Sequence, residues 1–119
     1  MKILRIILIS PILFLSQLLG GEEIKIGTLQ GQLRFDPEII AVKKGADINL
    51  VFENQDEMIH NFLIAQGDSK QIDKLEEMAL ALEGKGLDMG IIPKDDSMIA
   101  NIGLVQPGEK AEVSFKAPN

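Results

Sequence analysis

Short runs of alternating apolar and polar residues are the feature that most constrains the fold of this chain. In residues 24–26, 48–53 and 111–116, apolar side chains occupy every second position. A period of two is typical of strands that bury one face, because successive side chains in a strand point to opposite sides. We therefore predict half-buried strands in these runs, and a further strand at residues 99–105.

Turn-forming sequences separate these runs, at residues 44–46, 54–56 and 106–109. In the last of them, Pro107 stands at the second turn position and Gly108 at the third, which suits a type II turn. Short strands divided by such turns predict an all-β antiparallel sandwich.

One segment, residues 69–83, has helical spacing instead. Its apolar residues recur at intervals of three and four, at Ile72, Leu75, Ala79 and Leu82. Asp68 as N-cap with Gln71 three residues later approximates a capping box, and Gly84 and Gly86 suit a left-handed helix end. We predict one amphipathic helix inserted among the strands.

The N-terminus has the pattern of a secretory signal peptide. Lys2 and Arg5 precede an apolar run at residues 6–19, and two glycines follow it. We therefore expect residues 1–21 to be a signal peptide and residues 22–119 to form one exported domain, periplasmic or extracellular. Membrane attachment is expected only if the leader stays uncleaved.

The charge balance disfavours nucleic acid as a partner. Twelve basic and 18 acidic residues give a formal net charge of −6, and removing Lys2 and Arg5 with the leader lowers it by two, to −8. Such a surface repels a phosphate backbone.

Candidate reactive residues are few. The chain has no cysteine and one histidine, His60. An imidazole is the commonest metal ligand, but a solitary histidine also serves as an ordinary hydrogen-bonding residue. The sequence has no cysteine nucleophile, no Gly-x-Ser-x-Gly and no His-Glu-x-x-His motif, so we expect neither bond-making catalysis nor a small-molecule substrate.

The surroundings of His60 resemble a known family. The stretch "LRFDPEIIAVKKGADINLVFENQDEMIHNFLIAQGDS" and the later "IGLVQPGEKAEVSFKAPN" are similar, in the order and spacing of their motifs, to the cupredoxins, the small blue copper proteins such as azurin, plastocyanin and auracyanin. The resemblance covers roughly residues 30–119.

The resemblance implies a Greek-key β-sandwich with one inserted α-helix and single-electron transfer through type 1 copper. Such a centre uses two imidazoles and a thiolate in a plane, with a weak axial thioether. By resemblance, His60 is the first copper ligand, and Asn61 is a hydrogen-bonding support that ties the ligand loops together.

The sequence departs from the family after residues 112–116, where the resemblance implies a loop carrying cysteine, a second histidine and methionine. The chain contains no cysteine and no second histidine. We therefore expect a truncated or fragmentary form, with an incomplete copper site and the last strand of the sandwich missing.

Two alternatives stay open. In the first, the chain is a copper-free interaction module that is completed by a strand from a partner. In the second, it is an exported Cu(I) carrier that binds through Met58 and His60, since thioethers favour Cu(I). The other methionines, Met78, Met89 and Met98, are scattered along the sequence.

As an electron carrier, the chain requires a redox protein as its partner. The acidic pairs Asp56–Glu57 and Asp95–Asp96 form either a surface patch that steers a positively charged partner or ordinary solvated loops.

Overall fold

The computed structural model describes residues 5–9, 21–82 and 90–119. Eight strands and one helix lie in these ranges. In chain order they are β1 (Arg5–Ile9), β2 (Glu22–Leu29), β3 (Arg34–Asp36), β4 (Ile39–Lys43), β5 (Asp47–Glu53), β6 (His60–Ala65), α1 (Ser69–Ala81), β7 (Met98–Val105) and β8 (Lys110–Lys116).

The strands form three hydrogen-bonded groups. The largest is a four-stranded sheet in the order β3–β2–β5–β8, in which β2 and β5 are parallel and the other pairs antiparallel. The strands β6 and β7 pair antiparallel, and β4 pairs in parallel with β1. The predicted all-β sandwich with one helix is therefore confirmed.

Alternation along the strands explains the core. In β5 the side chains of Ile48, Leu50 and Phe52 are buried, whereas the residues between them are partly exposed. Every second residue of β4 is buried in the same way. Because each strand contributes one apolar face, residues from β2 to β7 meet in a single central core.

Three phenylalanines bring the strands together in this core. Phe35 of β3, Phe52 of β5 and Phe62 of β6 lie with ring centroids 5.1 to 6.0 Å apart. Two of the pairs meet edge to face, the geometry that aromatic quadrupoles favour. Since Phe62 is two residues from His60, this packing fixes the start of β6.

The helix begins as predicted and ends earlier. The side chain of Asp68 accepts a hydrogen bond from the backbone N–H of Gln71 at 3.1 Å, which confirms the N-cap. The helix stops at Ala81, with Leu82 as its C-cap, two residues before the predicted end. The predicted exit glycines, Gly84 and Gly86, lie outside the described residues.

The second half of the predicted capping box is wrong. The side chain of Gln71 does not return to Asp68; its amide donates to Asp95 and Ser97, 2.9 and 2.8 Å away. The helix is thereby joined to the loop that precedes β7.

The N-terminal segment contributes a strand. Arg5 to Ile9 pair in parallel register with Ile39 to Lys43 of β4, and Ile6 packs against the central core. This strand lies within the predicted signal peptide, and the assignment of residues 1–21 as a leader remains a prediction. Within the described residues, no helix has the length and apolar character that a membrane crossing requires.

Candidate metal centre

His60 is the first residue of β6 and faces Val105 across the β6–β7 pair. The ladder is irregular between His60 and Phe62, so the ring stands at the point where the loop becomes a strand. Its side chain is 17% exposed. A largely buried imidazole at a strand end is suited to ligand binding, because strand pairing holds its backbone while part of its side chain remains accessible.

The loop before His60 is organised by Asn54, which is fully buried at the end of β5. Its amide nitrogen donates to the carbonyls of Met58 and Val105, at 2.7 and 2.9 Å. Its amide oxygen accepts from the Thr28 hydroxyl and from the backbone N–H of Asp56. One side chain therefore joins β2, the loop and the end of β7.

The backbone of Asn54 also anchors the turn between β7 and β8. Its N–H donates to the carbonyl of Glu109, and its carbonyl accepts from the N–H of Gly108 at 2.7 Å. The turn itself is closed by a bond from Glu109 N–H to the Gln106 carbonyl, with Gly108 at φ 79°. This positive φ at the third position is the value that the predicted type II turn requires.

Asp56 is the direct hydrogen-bond partner of His60. Oδ2 of Asp56 lies 2.9 Å from Nε2 of the imidazole. Oδ1 accepts the backbone N–H groups of Gly31 and Glu57 at 3.2 and 2.8 Å. The hydrogen bond with His60 is the main reason why the pKa of Asp56 lies below its usual range, and the two backbone donors lower it further.

The prediction that Asp56 belongs to the protein surface is therefore wrong. Its side chain is only 4% exposed, because it turns inward to fill three hydrogen bonds. Asp95 is similar: it is 11% exposed and bonded to Lys74, Ser97 and Gln71. Of the two acidic pairs, only Glu57 and Asp96 present exposed carboxylates to a partner.

Asn61, the predicted support residue, bonds to the turn at Gly90 and Ile91. Its amide nitrogen donates to the carbonyls of Gly90 and Ile91, at 3.2 and 3.0 Å. Both residues have positive φ, 67° and 56°, and Ile91 is β-branched, so its conformation is strained. The two bonds from Asn61 secure this strained turn beside His60.

His60 is one of the residues that line a surface depression of about 340 Å3. Of the five large apolar side chains that the described residues leave exposed, four line it: Leu33, Met58, Ile59 and Leu80. An exposed cluster of this kind is typical of a binding surface. The alternation of apolar and polar residues could not predict this cluster, because its four residues come from separate loops and from the helix.

In the described part of the structure, Met58 is the one methionine that lines this depression. Met98 lines a separate depression with Asp95 and Asp96, and Met78 is partly buried on the helix. Met89 lies outside the described residues. Across residues 5–9, 21–82 and 90–119, no three histidine, cysteine, aspartate or glutamate side chains converge as a metal-binding group.

Comparison with solved structures identifies the fold. No family model and no curated protein sequence matches the chain. An auracyanin from Roseiflexus castenholzii is 25% identical, with a TM-score of 0.73 over 83% of this chain and 78% of its own. Auracyanin A from Chloroflexus aurantiacus, a "blue" copper protein, is 27% identical, with a TM-score of 0.75 over 83% and 80%.

A third structure extends the likeness in fold alone. An azurin from Methylomonas sp. strain J is 21% identical, with a TM-score of 0.62 over 82% of this chain and 76% of its own. The chain therefore has the cupredoxin fold of the auracyanins and azurins.

Proposed function

We propose that this chain is a copper-binding, single-electron transfer protein of the blue copper class, in which His60 is the first copper ligand. The observation that carries the proposal is the state of the His60 ring. In a cupredoxin fold, this imidazole stands at the start of β6, 17% exposed, with Nε2 bound to Asp56. Among the described residues, no hydrogen bond involves Nδ1, which leaves this nitrogen for a metal.

The comparison with auracyanin A supports the proposal. That protein is a blue copper protein, and it matches this chain at 27% identity over most of both chains. The rigid anchoring of the His60 loop by Asn54 is also in keeping with electron transfer, because a fixed ligand position limits the rearrangement between Cu(II) and Cu(I).

The residues present do not make a complete type 1 site. Such a site needs a thiolate and a second imidazole, and the sequence has no cysteine and one histidine. This chain therefore contributes one strong ligand, and we assign no copper-dependent step to its other residues. Asn61 acts by holding the turn at Gly90 and Ile91 next to the ligand.

The depression lined by His60 is the proposed docking surface for a redox protein partner. Four exposed apolar side chains line it together with the one imidazole through which an electron would enter or leave. Export follows from the predicted leader at residues 1–21, so the partner is expected outside the cytoplasm.

A chimera tests the proposal. The cysteine–histidine–methionine loop of the family is appended after Lys116, and copper is added to this protein, to the same chimera with His60→Ala, and to the unmodified chain. We expect an intense blue colour only in the chimera that keeps His60. The unmodified chain is expected to stay colourless, since it has no thiolate. Identical spectra with and without His60 in folded chimeras would contradict the proposal.

A second function, Cu(I) transport by a Met–His pair, is favoured by one observation. Met58 is 58% exposed and lines the same depression as His60. In that case Met58→Leu, which conserves size and apolar character, weakens Cu(I) binding. An unchanged Cu(I) affinity in Met58→Leu would leave blue copper electron transfer as the proposal.

A further inference from the structure

The strand β4 has one neighbour in its sheet. Among the described residues, its ladder partner is β1 alone, with Ile6 opposite Ile40 in parallel register. The strands on either side of β4 in the chain belong to the four-stranded sheet: β3 pairs with β2, and β5 lies between β2 and β8. The backbone of β4 therefore depends on residues 5–9 for its ladder.

β4 is nevertheless a strand of the central core. Ile40 and Val42 are 7% and 1% exposed and belong to the core cluster, whereas the residues on either side of them are exposed. A strand that buries one face but has no ladder partner leaves a row of backbone N–H and C=O groups unpaired, which favours the addition of another strand. The edge of β4 is therefore suited to accept a strand.

The sequence of residues 5–9 suits this position. Three of its five residues are isoleucine, a β-branched residue that favours strands. Pro11 follows shortly afterwards, and proline has no N–H with which to continue a ladder. Ile6 is partly buried and packs against the central core. The segment thus contributes both a ladder and a core side chain, neither of which a discarded leader needs to supply.

We propose that the edge of β4 is a strand-accepting site and that residues 5–9 of the same chain occupy it as a structural strand of the domain. Removal of residues 1–21 would leave β4 without its ladder partner. Export directed by this segment is consistent with the proposal as long as the segment is retained. The inference involves neither copper nor His60, so it stands or falls independently of the proposed function.

A pair of engineered cysteines tests the ladder, because the natural sequence contains none. Ile6 and Ile40 are partners in the register, and both pack in the core. The Cα atoms of paired residues in adjacent strands lie about 5 Å apart, within the range that a disulfide spans. The full-length variant Ile6→Cys/Ile40→Cys is treated with oxidised glutathione, which is reduced as the two thiols lose their hydrogens and the S–S bond forms.

The matched control is Ile6→Cys/Val42→Cys, which moves the second cysteine two positions along the same buried face of β4. With strands about 4.8 Å apart and a rise of about 3.3 Å per residue, these Cα atoms lie roughly 8 Å apart. A disulfide does not bridge Cα atoms more than about 7 Å apart without backbone movement. We expect the loss of two hydrogens from the intact mass of the monomer only in Ile6→Cys/Ile40→Cys.

Three results in folded protein would overturn the proposal. Equal closure of both pairs would show that the register is not fixed, and closure of neither would show that residues 5–9 do not lie beside β4. A disulfide between two copies, seen as a dimer in non-reducing electrophoresis, would assign the occupying strand to another molecule.

Hydrogen exchange of the unmodified full chain decides the question even if the cysteine variants do not fold. We expect backbone amides at alternate positions of residues 5–9 to exchange at least about tenfold more slowly than in an unstructured chain of the same sequence, because a stable ladder must open before they exchange. Exchange of all these amides at the unstructured rate would overturn the proposal.

Discussion

Two loops of this molecule are each built around an aspartate that is buried or nearly so, and the two aspartates bond to different side chains. Asp56 lies in the loop before β6 and Asp95 in the loop before β7. In both residues Oδ1 accepts hydrogen bonds from backbone N–H, and in Asp95 also from a hydroxyl. Oδ2 bonds to the imidazole of His60 in Asp56 and to the ammonium of Lys74 in Asp95. The pKa of each carboxyl lies below its usual range for this reason.

The difference is in the residue at Oδ2. At Asp95 it is the ammonium of Lys74, which has only donors and is 56% exposed, so the contact ties the helix to the loop and offers no lone pair to a metal. At Asp56 it is an imidazole with a second nitrogen. The same anchoring chemistry thus produces a structural joint in one loop and a candidate metal ligand in the other.

The largest expected loss of stability is for a substitution of Asn54, which organises the loop that contains Asp56. Asn54→Ala removes the amide that joins Met58, Val105 and Thr28, and it leaves buried donors and acceptors without partners. Since each unsatisfied buried group costs about 1–3 kcal/mol, we expect a loss of about 3 kcal/mol or more in the free energy of unfolding, measured by urea denaturation.

Asn101→Ala is the matched control, because Asn101 is exposed on β7. It should change the unfolding free energy by no more than about 0.5 kcal/mol. Equal losses for the two variants would mean that the His60 loop is not organised by Asn54.

An intermediate effect is expected for Asp95→Asn, and it depends on pH. A carboxyl whose pKa is lowered by folding contributes stability above its unfolded pKa of about 3.9, and loses it as the pH falls through the lower folded value. The destabilisation in Asp95→Asn should therefore be greatest near pH 7 and shrink below about pH 4, as followed by denaturation at several pH values.

Asp96→Asn provides the comparison for this experiment, because the neighbouring carboxylate is exposed. Its loss of unfolding free energy at pH 7 should be no more than about 0.5 kcal/mol. A loss of unfolding free energy in Asp95→Asn that stays constant from pH 7 down to pH 3 would contradict the assigned role of Asp95.

The smallest effect is expected for Lys74→Met, which removes only the exposed partner of Asp95. Exposed ion pairs contribute about 0–1 kcal/mol and are screened by salt. We expect a loss in that range that diminishes in high salt, with Lys70→Met on the exposed part of the helix as control. A larger, salt-independent loss would mean that the Asp95 loop depends on Lys74 more than on Ser97 and Gln71.

Much of the fold could be predicted from the sequence because alternation and capping are local. The buried faces of β4 and β5 follow the period of two, and Asp68 caps the helix as expected. The side-chain partner of Gln71 could not be predicted, since Asp95 and Ser97 are 24 and 26 residues away and compete with the local cap. The pairing of Arg5–Ile9 with β4 depends equally on distant contacts.

The candidate site was only half visible in the sequence. The type and position of His60 suggested a ligand, but nothing local distinguishes a buried aspartate from a solvated one. Asp56 is buried because Gly31, 25 residues earlier, supplies an N–H to it. The i to i+4 spacing of Asp56 and His60 was the one available signal, and outside a helix this spacing does not imply contact.

The central claim is that His60 is the copper ligand of this chain. Pulsed EPR of the Cu(II)-loaded full chain tests it directly, because a coordinated imidazole reveals its remote nitrogen and this chain has a single histidine. We predict the remote-nitrogen signal in the unmodified chain and its loss in His60→Ala. Bound Cu(II) without that signal, or with the same signal in His60→Ala, would contradict the account.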